Sequence, residues 1–161
     1  MSTNVRVGLG HDTHRLESGG PLRIGGVDIP FEKHAVGHSD ADVLLHAITD
    51  ALLGAASLGD IGEFFPDTDP ANRGKDSRVM LASAVSALSA AGYSTVNVDC
   101  VVLAERPKLL PHRDAIRQSI ASLLHIEVDR ISLKGKTGEQ TGSVGRGEII
   151  QAVVVALVEK R

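Results

Sequence analysis

The stretch HSDADVLLHAITDALLGAA, residues 38–56, decides how this chain folds. Val43, Leu44, Ala47, Ile48, Ala51, Leu52 and Ala55 recur at the spacing of one apolar helix face. Ser39 reads as the N-cap, with Asp42 three residues later in an arrangement resembling a capping box. Asp42, His46 and Asp50 fall four residues apart on a second stripe. A helix of this kind buries its apolar stripe against another layer, and the flanking sequence supplies strands for that layer.

Upstream, Val5 to Leu9 reads as a short strand that runs into Gly10-His11-Asp12-Thr13-His14. Leu22–Ile24 and Val27–Ile29 flank Gly25-Gly26, the signature of a two-residue hairpin turn. Residues 30–38 lack periodicity and read as loop. Downstream, Asp60–Lys75 is rich in proline, glycine and aspartate and reads as a long loop. Asp76 or Ser77 caps a second helix that runs to Ala91, with Gly92 as its stop. Val96–Ala104 is β-branched and reads as a strand. Pro107 and Pro111 precede a third helix carrying Ile116, Ile120 and Leu123. Ile131–Lys136 is a strand, Thr137–Gly147 a Gly/Thr loop, and Ile149–Val158, rich in Val and Ile, a buried strand. With no internal repeat or linker, residues 1–161 form one α+β domain, a mixed β-sheet covered by helices.

Composition narrows the function. Aromatics make up 2%, namely Phe31, Phe64, Phe65 and Tyr93, too few for a base-stacking platform. A formal charge of −3 gives no general attraction to nucleic acid or to an anionic membrane. The longest apolar run, Ile149–Val158, is broken by Gln151 and is shorter than a membrane span. Met1–Arg6 is polar and does not read as a signal or transit segment. With a single cysteine, Cys100, no internal disulfide can form, so a cytoplasmic setting is expected.

Five of the seven histidines lie in the first 46 residues, beside glycine turns. Residues two apart in an extended segment point the same way, so Asp12 and His14 can converge on one ion, with His46 as a third ligand. A carboxylate and two imidazoles suit zinc and leave a fourth position open. By spacing alone, the same residues also read as two surface side chains and a core histidine. His38, Ser39 and Asp42 lie at a helix N-terminus, which attracts anions, although capping alone accounts for Ser39 and Asp42. Asp60, Ile61 and Gly62, then Phe65, Pro66, Asp67, Thr68 and Asp69, read either as a solvated turn or as carboxylates that hold hydroxyl groups. Pro107, Lys108, Leu109 and Leu110 either lead into the third helix or offer backbone amides to a flat base edge. In the last loop, Lys136, Thr137, Gly138, Glu139 and Arg146 mix hydroxyls, charges and glycines in the manner of an oxyanion cradle or a flexible hairpin. It lacks the spacing of a Walker loop.

The order of these motifs carries a resemblance. Gly-x-Gly-His-Asp-x-His, Ile-Gly-Gly-Val, His-Ser-Asp-x-Asp-Val-x-x-His-Ala-x-Thr-Asp-Ala-Leu-Leu-Gly-Ala-Ala, Leu-Gly-Asp-Ile-Gly, Phe-Pro-Asp-Thr-Asp-Pro, Pro-Lys-x-x-Pro-His and Gly-Arg-Gly-Glu follow one another from residue 8 to residue 148. The chain resembles the 2-C-methyl-D-erythritol 2,4-cyclodiphosphate synthases of the non-mevalonate isoprenoid pathway. The resemblance implies a homotrimer with sites between subunits and a small-molecule cytidine diphosphate substrate. The substrate's 2-phosphate attacks the β-phosphorus and expels CMP. It further implies Asp12, His14 and His46 as zinc ligands, and Glu139 as ligand of a second divalent ion, Mg²⁺ or Mn²⁺. His38 and Thr137 match residues that steady the transition state. Asp12, His14, His38, Ser39, Asp60, Ile61, Gly62, Phe65–Asp69, Ala104, Pro107–Leu110, Lys136–Glu139 and Arg146 match substrate-contacting positions. Two departures stand out: Lys136 replaces a threonine common in relatives, and Ser143 stands where many carry Phe or Leu. A zinc-dependent phosphoester hydrolase and a metal-tied scaffold without activity are the competing classes.

Overall fold

The computed structural model describes residues 4–161; of the Met1–Arg6 stretch, the first three residues lie outside the described residues. A five-stranded sheet runs in the order β4-β1-β7-β5-β6, built from β1 (Val5–Ser18), β4 (Lys33–Val36), β5 (Tyr93–Leu103), β6 (Ile131–Lys136) and β7 (Ile149–Lys160). Only β5 and β6 pair in parallel, so the sheet is mixed, as expected. β2 (Leu22–Ile24) and β3 (Val27–Ile29) form a separate hairpin. Its turn places Gly25 and Gly26 at φ of 63° and 80°, the backbone of a type I′ turn.

Three longer helices, α1 (Val43–Ala55), α3 (Ser77–Ala90) and α4 (Arg113–Leu124), bury their apolar stripes in one core with the sheet. Two single-turn helices, α2 (Ile61–Phe64) and α5 (Gly142–Gly145), lie within the segments expected to be irregular. β1, expected to end at Leu9, continues to Ser18, and the expected loop 30–38 contains β4, which pairs with it.

The N-cap of α1 is Asp42 rather than Ser39. Asp42 is fully buried, and its carboxylate accepts from Leu45 N at 3.0 Å, Gly25 N at 2.9 Å and Gly26 N at 2.7 Å. One carboxylate thus satisfies the start of α1 and the donors of the hairpin turn together, which a serine hydroxyl on Ser39 could not do. Asp76 caps α3.

Two glycines set the distance between sheet and helix. A Cβ on Gly8 would collide with the Ala51 carbonyl, and one on Gly10 with the Ala47 carbonyl, both on α1. The backbone of α1 therefore lies directly on β1. Gly8, Gly10, Asp12 and His14 share one face of that strand, so the close approach delivers His46, next to Ala47, over Asp12 and His14.

Candidate functional site

Asp12 Oδ2, His14 Nε2 and His46 Nδ1 converge at one end of the sheet. The separations are 2.8 Å for Asp12 to His14, 3.1 Å for Asp12 to His46 and 3.1 Å between the two ring nitrogens. Ligand atoms of a tetrahedral zinc with bonds of about 2.0–2.1 Å stand about 3.3 Å apart, so the triad has the span of such a site. Among the described residues it is the one cluster of three such ligating side chains.

The tautomers agree with that reading. His14 Nδ1 lies 3.0 Å from the Val36 carbonyl, to which it must donate, leaving a lone pair on Nε2. His46 Nε2 lies 3.0 Å from Ser39 Oγ and 2.8 Å from Ser77 Oγ. With its proton on that side, Nδ1 also presents a lone pair. Two imidazole lone pairs and a carboxylate aimed at one point repel each other unless a cation sits between them. Without an ion, protons on the two rings fill that place. Burial alone would raise the Asp12 carboxyl, but the hydrogen bonds and charge of His14 and His46 outweigh it and bring it down to about 2. Burial alone would lower His14, and the Asp12 carboxylate reverses that, pushing it up.

The triad opens into a cavity of about 350 Å³ walled also by Gly37, His38, Ser39, Ile61, Gly62, Phe65, Asp67, Asn72 and Met80. His38 Nε2 is buried there without a hydrogen-bond partner. Ile61 N donates to Asp50 Oδ1 at 2.8 Å, fixing the start of the loop to α1. Asp60 and Asp69 do not face this cavity; Asp60 caps α2 and Asp69 caps the turn that follows. The Pro66 carbonyl accepts from Asn72 at 3.0 Å, and Thr68 lies in the turn between them. Asn72, Met80 and Gly37 were not expected at the site, and no sequence pattern marks them.

A second cavity, of about 400 Å³, collects seven more of the expected residues, Ala104, Pro107, Lys108, Leu109, Leu110, Lys136 and Thr137, with Glu105 and Arg113 added. Glu105 organises the adjoining loop by accepting from Gly138 N at 2.9 Å and Gln140 N at 3.2 Å. Between those donors Glu139 takes a left-handed φ of 51°, as does Gln140 at 61°. Such conformations persist only where neighbours hold them. The Glu139 carboxylate lies 3.3 Å from Thr137 Oγ1. Lys134 is engaged by Asp99 at 2.7 Å rather than by Glu139. Gly138, Glu139 and Arg146 line neither cavity, and Arg146 pairs with Glu148 at 2.8 Å. Cys100 is buried, its thiol pushed up to about 12 by burial, and plays no part in either cavity.

Strand register measures the gap between the two groups. Thr13 pairs with Gln151, Gln151 with Leu103, and Leu103 with Lys136. Both cavities therefore open at the same end of the sheet, three strand spacings or roughly 14 Å apart within one chain.

Fold and site define a class: a single-domain α+β protein with a candidate carboxylate–bis-imidazole metal site at the end of a mixed sheet. The chain matches the YgbB family over residues 5–159 and belongs to it. It is 53% identical to 2-C-methyl-D-erythritol 2,4-cyclodiphosphate synthase of Gemmatimonas aurantiaca, covering 98% of this chain and 95% of that one. It is 55% identical to the synthase of that name from Burkholderia lata, covering 98% of each. A solved 2C-methyl-D-erythritol-2,4-cyclodiphosphate synthase in its CDP-bound form superposes with a TM-score of 0.89 at 44% identity, covering 96% of this chain and all of the other.

Proposed function

We propose that the chain is a phosphorus–oxygen lyase that converts 4-diphosphocytidyl-2-C-methyl-D-erythritol 2-phosphate to 2-C-methyl-D-erythritol 2,4-cyclodiphosphate and CMP. The observation that carries this reading is the triad of converging donors facing a cavity in a chain of this family. The 2-phosphate oxygen forms a bond to the β-phosphorus while the bond from that phosphorus to the bridging oxygen of CMP breaks. The nucleophile is already an anion, so the site needs no strong base; it needs alignment and relief of charge repulsion. Zinc held by Asp12, His14 and His46, with Mg²⁺ or Mn²⁺ at Glu139, supplies that relief by Lewis acidity toward the phosphate oxygens.

The residues of the chain do the remainder. The free Nε2 of His38 and the hydroxyl of Thr137 donate to phosphoryl oxygens as charge shifts toward the leaving group. Gly62, Phe65 and Asp67 enclose the methylerythritol portion in the first cavity. The second cavity takes the cytidine, with Leu109 and Pro107 against the base and Lys108 and Lys136 toward the phosphates. Asp60, Ile61, Pro66, Thr68 and Asp69 act by holding the loop in shape.

One substrate bridging both cavities is best served between subunits, and we take the assembly to be a homotrimer. The sheet face turned away from the helices supports it. Val5, Val7 and Leu9 on β1 are exposed, Leu9 at 66%, and Val155 beside Leu9 on β7 is exposed as well. A continuous apolar patch of this kind marks a contact surface. No helix of the described residues is long and apolar enough to cross a membrane. A cytoplasmic setting is our reading from composition.

Incubation with the cytidyl substrate, Zn²⁺ and Mg²⁺ in ¹⁸O-water tests the reaction. The expected products are CMP and the cyclic diphosphate, neither carrying solvent oxygen; ¹⁸O in a phosphate product would instead establish the hydrolase. Glu139→Gln, which keeps the shape but not the charge, is expected to lower turnover, with partial recovery in excess Mg²⁺ or Mn²⁺ and unchanged zinc content. Near-normal turnover at every Mg²⁺ concentration would remove Glu139 from the site.

A further inference from the structure

The triad accounts for one nitrogen of His46; the other faces a polar cluster that lies outside the cavity of the triad. Ser77, the first residue of α3, is fully buried, and its hydroxyl lies 2.8 Å from His46 Nε2. The same hydroxyl bonds to Asp40 Oδ1, while Asp40 Oδ2 accepts from Ser77 N at 3.0 Å and lies 3.5 Å from Arg23 Nη1.

We infer that Ser77, held by Asp40, is the positioning residue of His46, fixing its tautomer and its aim so that the affinity of the centre for zinc depends on a hydroxyl that touches neither metal nor substrate. This rests on the zinc reading given above. The assignment of protons leaves one arrangement. An ionised carboxylate can only accept, so the Ser77 hydroxyl proton goes to Asp40. Its oxygen is then left to accept, and the one donor it faces on the other side is His46 Nε2–H. That proton cannot move to Nδ1 without breaking the chain, so Nδ1 keeps its lone pair toward Asp12 and His14. The relay Asp40–Ser77–His46 is thus the carboxylate–hydroxyl equivalent of the carboxylate–imidazole pairs that stand behind metal ligands and commonly change affinity by 10- to 100-fold.

Ser39 differs. Its hydroxyl also lies near Nε2, at 3.0 Å, but it has no carboxylate behind it and it faces the cavity. It is free to turn its proton toward a substrate oxygen. Ser77 has no such freedom. The relay also joins elements far apart in the chain: Asp40 precedes α1, His46 lies within it, and Ser77 opens α3 after the loop that walls the cavity. Asp40 N donates to the Lys75 carbonyl at 3.1 Å, and Gly74 N to the His38 carbonyl at 2.8 Å, closing the base of that loop.

The test is zinc affinity of the metal-free full-length protein, measured by competition with a chromophoric chelator, together with the visible spectrum of the Co²⁺-substituted protein. Ser77→Ala is expected to weaken zinc binding about 10- to 100-fold and to alter the Co²⁺ bands, with Ser77→Thr recovering much of the affinity. Asp40→Asn, which keeps an acceptor but removes the charge, is expected to fall between wild type and Ser77→Ala, and it decides the matter if Ser77→Ala does not fold. Ser39→Ala is expected to shift affinity less than Ser77→Ala. Tight wild-type binding with unchanged affinity and Co²⁺ spectrum in both Ser77→Ala and Asp40→Asn would overturn the inference and leave the hydroxyl as a helix-end contact. A wild-type chain that binds no zinc would overturn the zinc reading and the inference with it.

Discussion

His46→Ala is expected to lose tight zinc binding and to lower turnover by roughly 10³-fold, the loss of several kcal/mol of charge stabilisation at about 1.4 kcal/mol per tenfold. The expectation follows from the geometry of the triad. With the imidazole gone, Asp12 and His14 remain 2.8 Å apart and satisfy each other as an ion pair, so the remaining pair no longer needs a metal. The fold should survive, because α1 is anchored on β1 by the Gly8 and Gly10 contacts and at its start by Asp42, none of which involves the ring. Zinc content by atomic absorption and far-UV circular dichroism are the two measurements. Full zinc occupancy in a folded variant would place the metal elsewhere; a folded, zinc-free variant with wild-type turnover would separate the metal from the chemistry.

The parts of this molecule that sequence periodicity could reach were local ones. Seven apolar positions of α1 repeat at helical spacing and are all buried, and Gly25-Gly26 has the two positive-φ residues that a tight hairpin demands. Asp12 and His14 could be paired by the two-residue repeat of a strand, even though that strand was expected to stop at Leu9. Its continuation was hidden because the apolar run stops at Leu9 and polar residues follow Gly10, whereas Gly8 and Gly10 are the positions where a helix backbone presses against the strand. Lys33–Val36 was hidden for a different reason: a four-residue edge strand with polar residues carries no alternation to detect. The cap of α1 was misjudged because Ser39 and Asp42 are equally good local candidates. The choice is made by two amides of the hairpin, Gly25 and Gly26, some 16 residues upstream. Ser77 shows the same limit at the site. It read only as a helix start, and its contact with His46 spans 31 residues and three elements. The wider candidate set came from motif order, which ranks residues by position along the chain. It could not reveal that Arg146 is tied to Glu148 while Glu105 shapes the loop beside Thr137.

The division of the candidate residues between two cavities leads to the second large effect, which concerns assembly. Asp12→Asn damages the metal cavity, and a Thr137→Ala/Glu139→Ala double variant damages the nucleotide side; each homogeneous protein is expected to be nearly inactive. If each site joins the metal cavity of one subunit to the nucleotide cavity of the next, co-expression of the two variants makes mixed rings in which some junctions pair two undamaged halves. For random mixing in equal amounts, a junction has its metal half from the double variant with probability one half and its nucleotide half from Asp12→Asn with probability one half, so about a quarter of sites should work in such a head-to-tail ring. Turnover of the mixture should therefore rise to about a quarter of wild type, and light scattering should give three times the chain mass. Within one chain, by contrast, every site would carry one defect or the other, and no mixing ratio could restore activity. The two arrangements differ by the whole of the recovered signal, because the damaged residues stand roughly three strand spacings apart in the sheet and cannot exchange roles. A trimer whose mixtures stay inactive would put both halves of each site in the same subunit. An active monomer would remove the apolar face of β1 and β7 as the surface on which the copies meet.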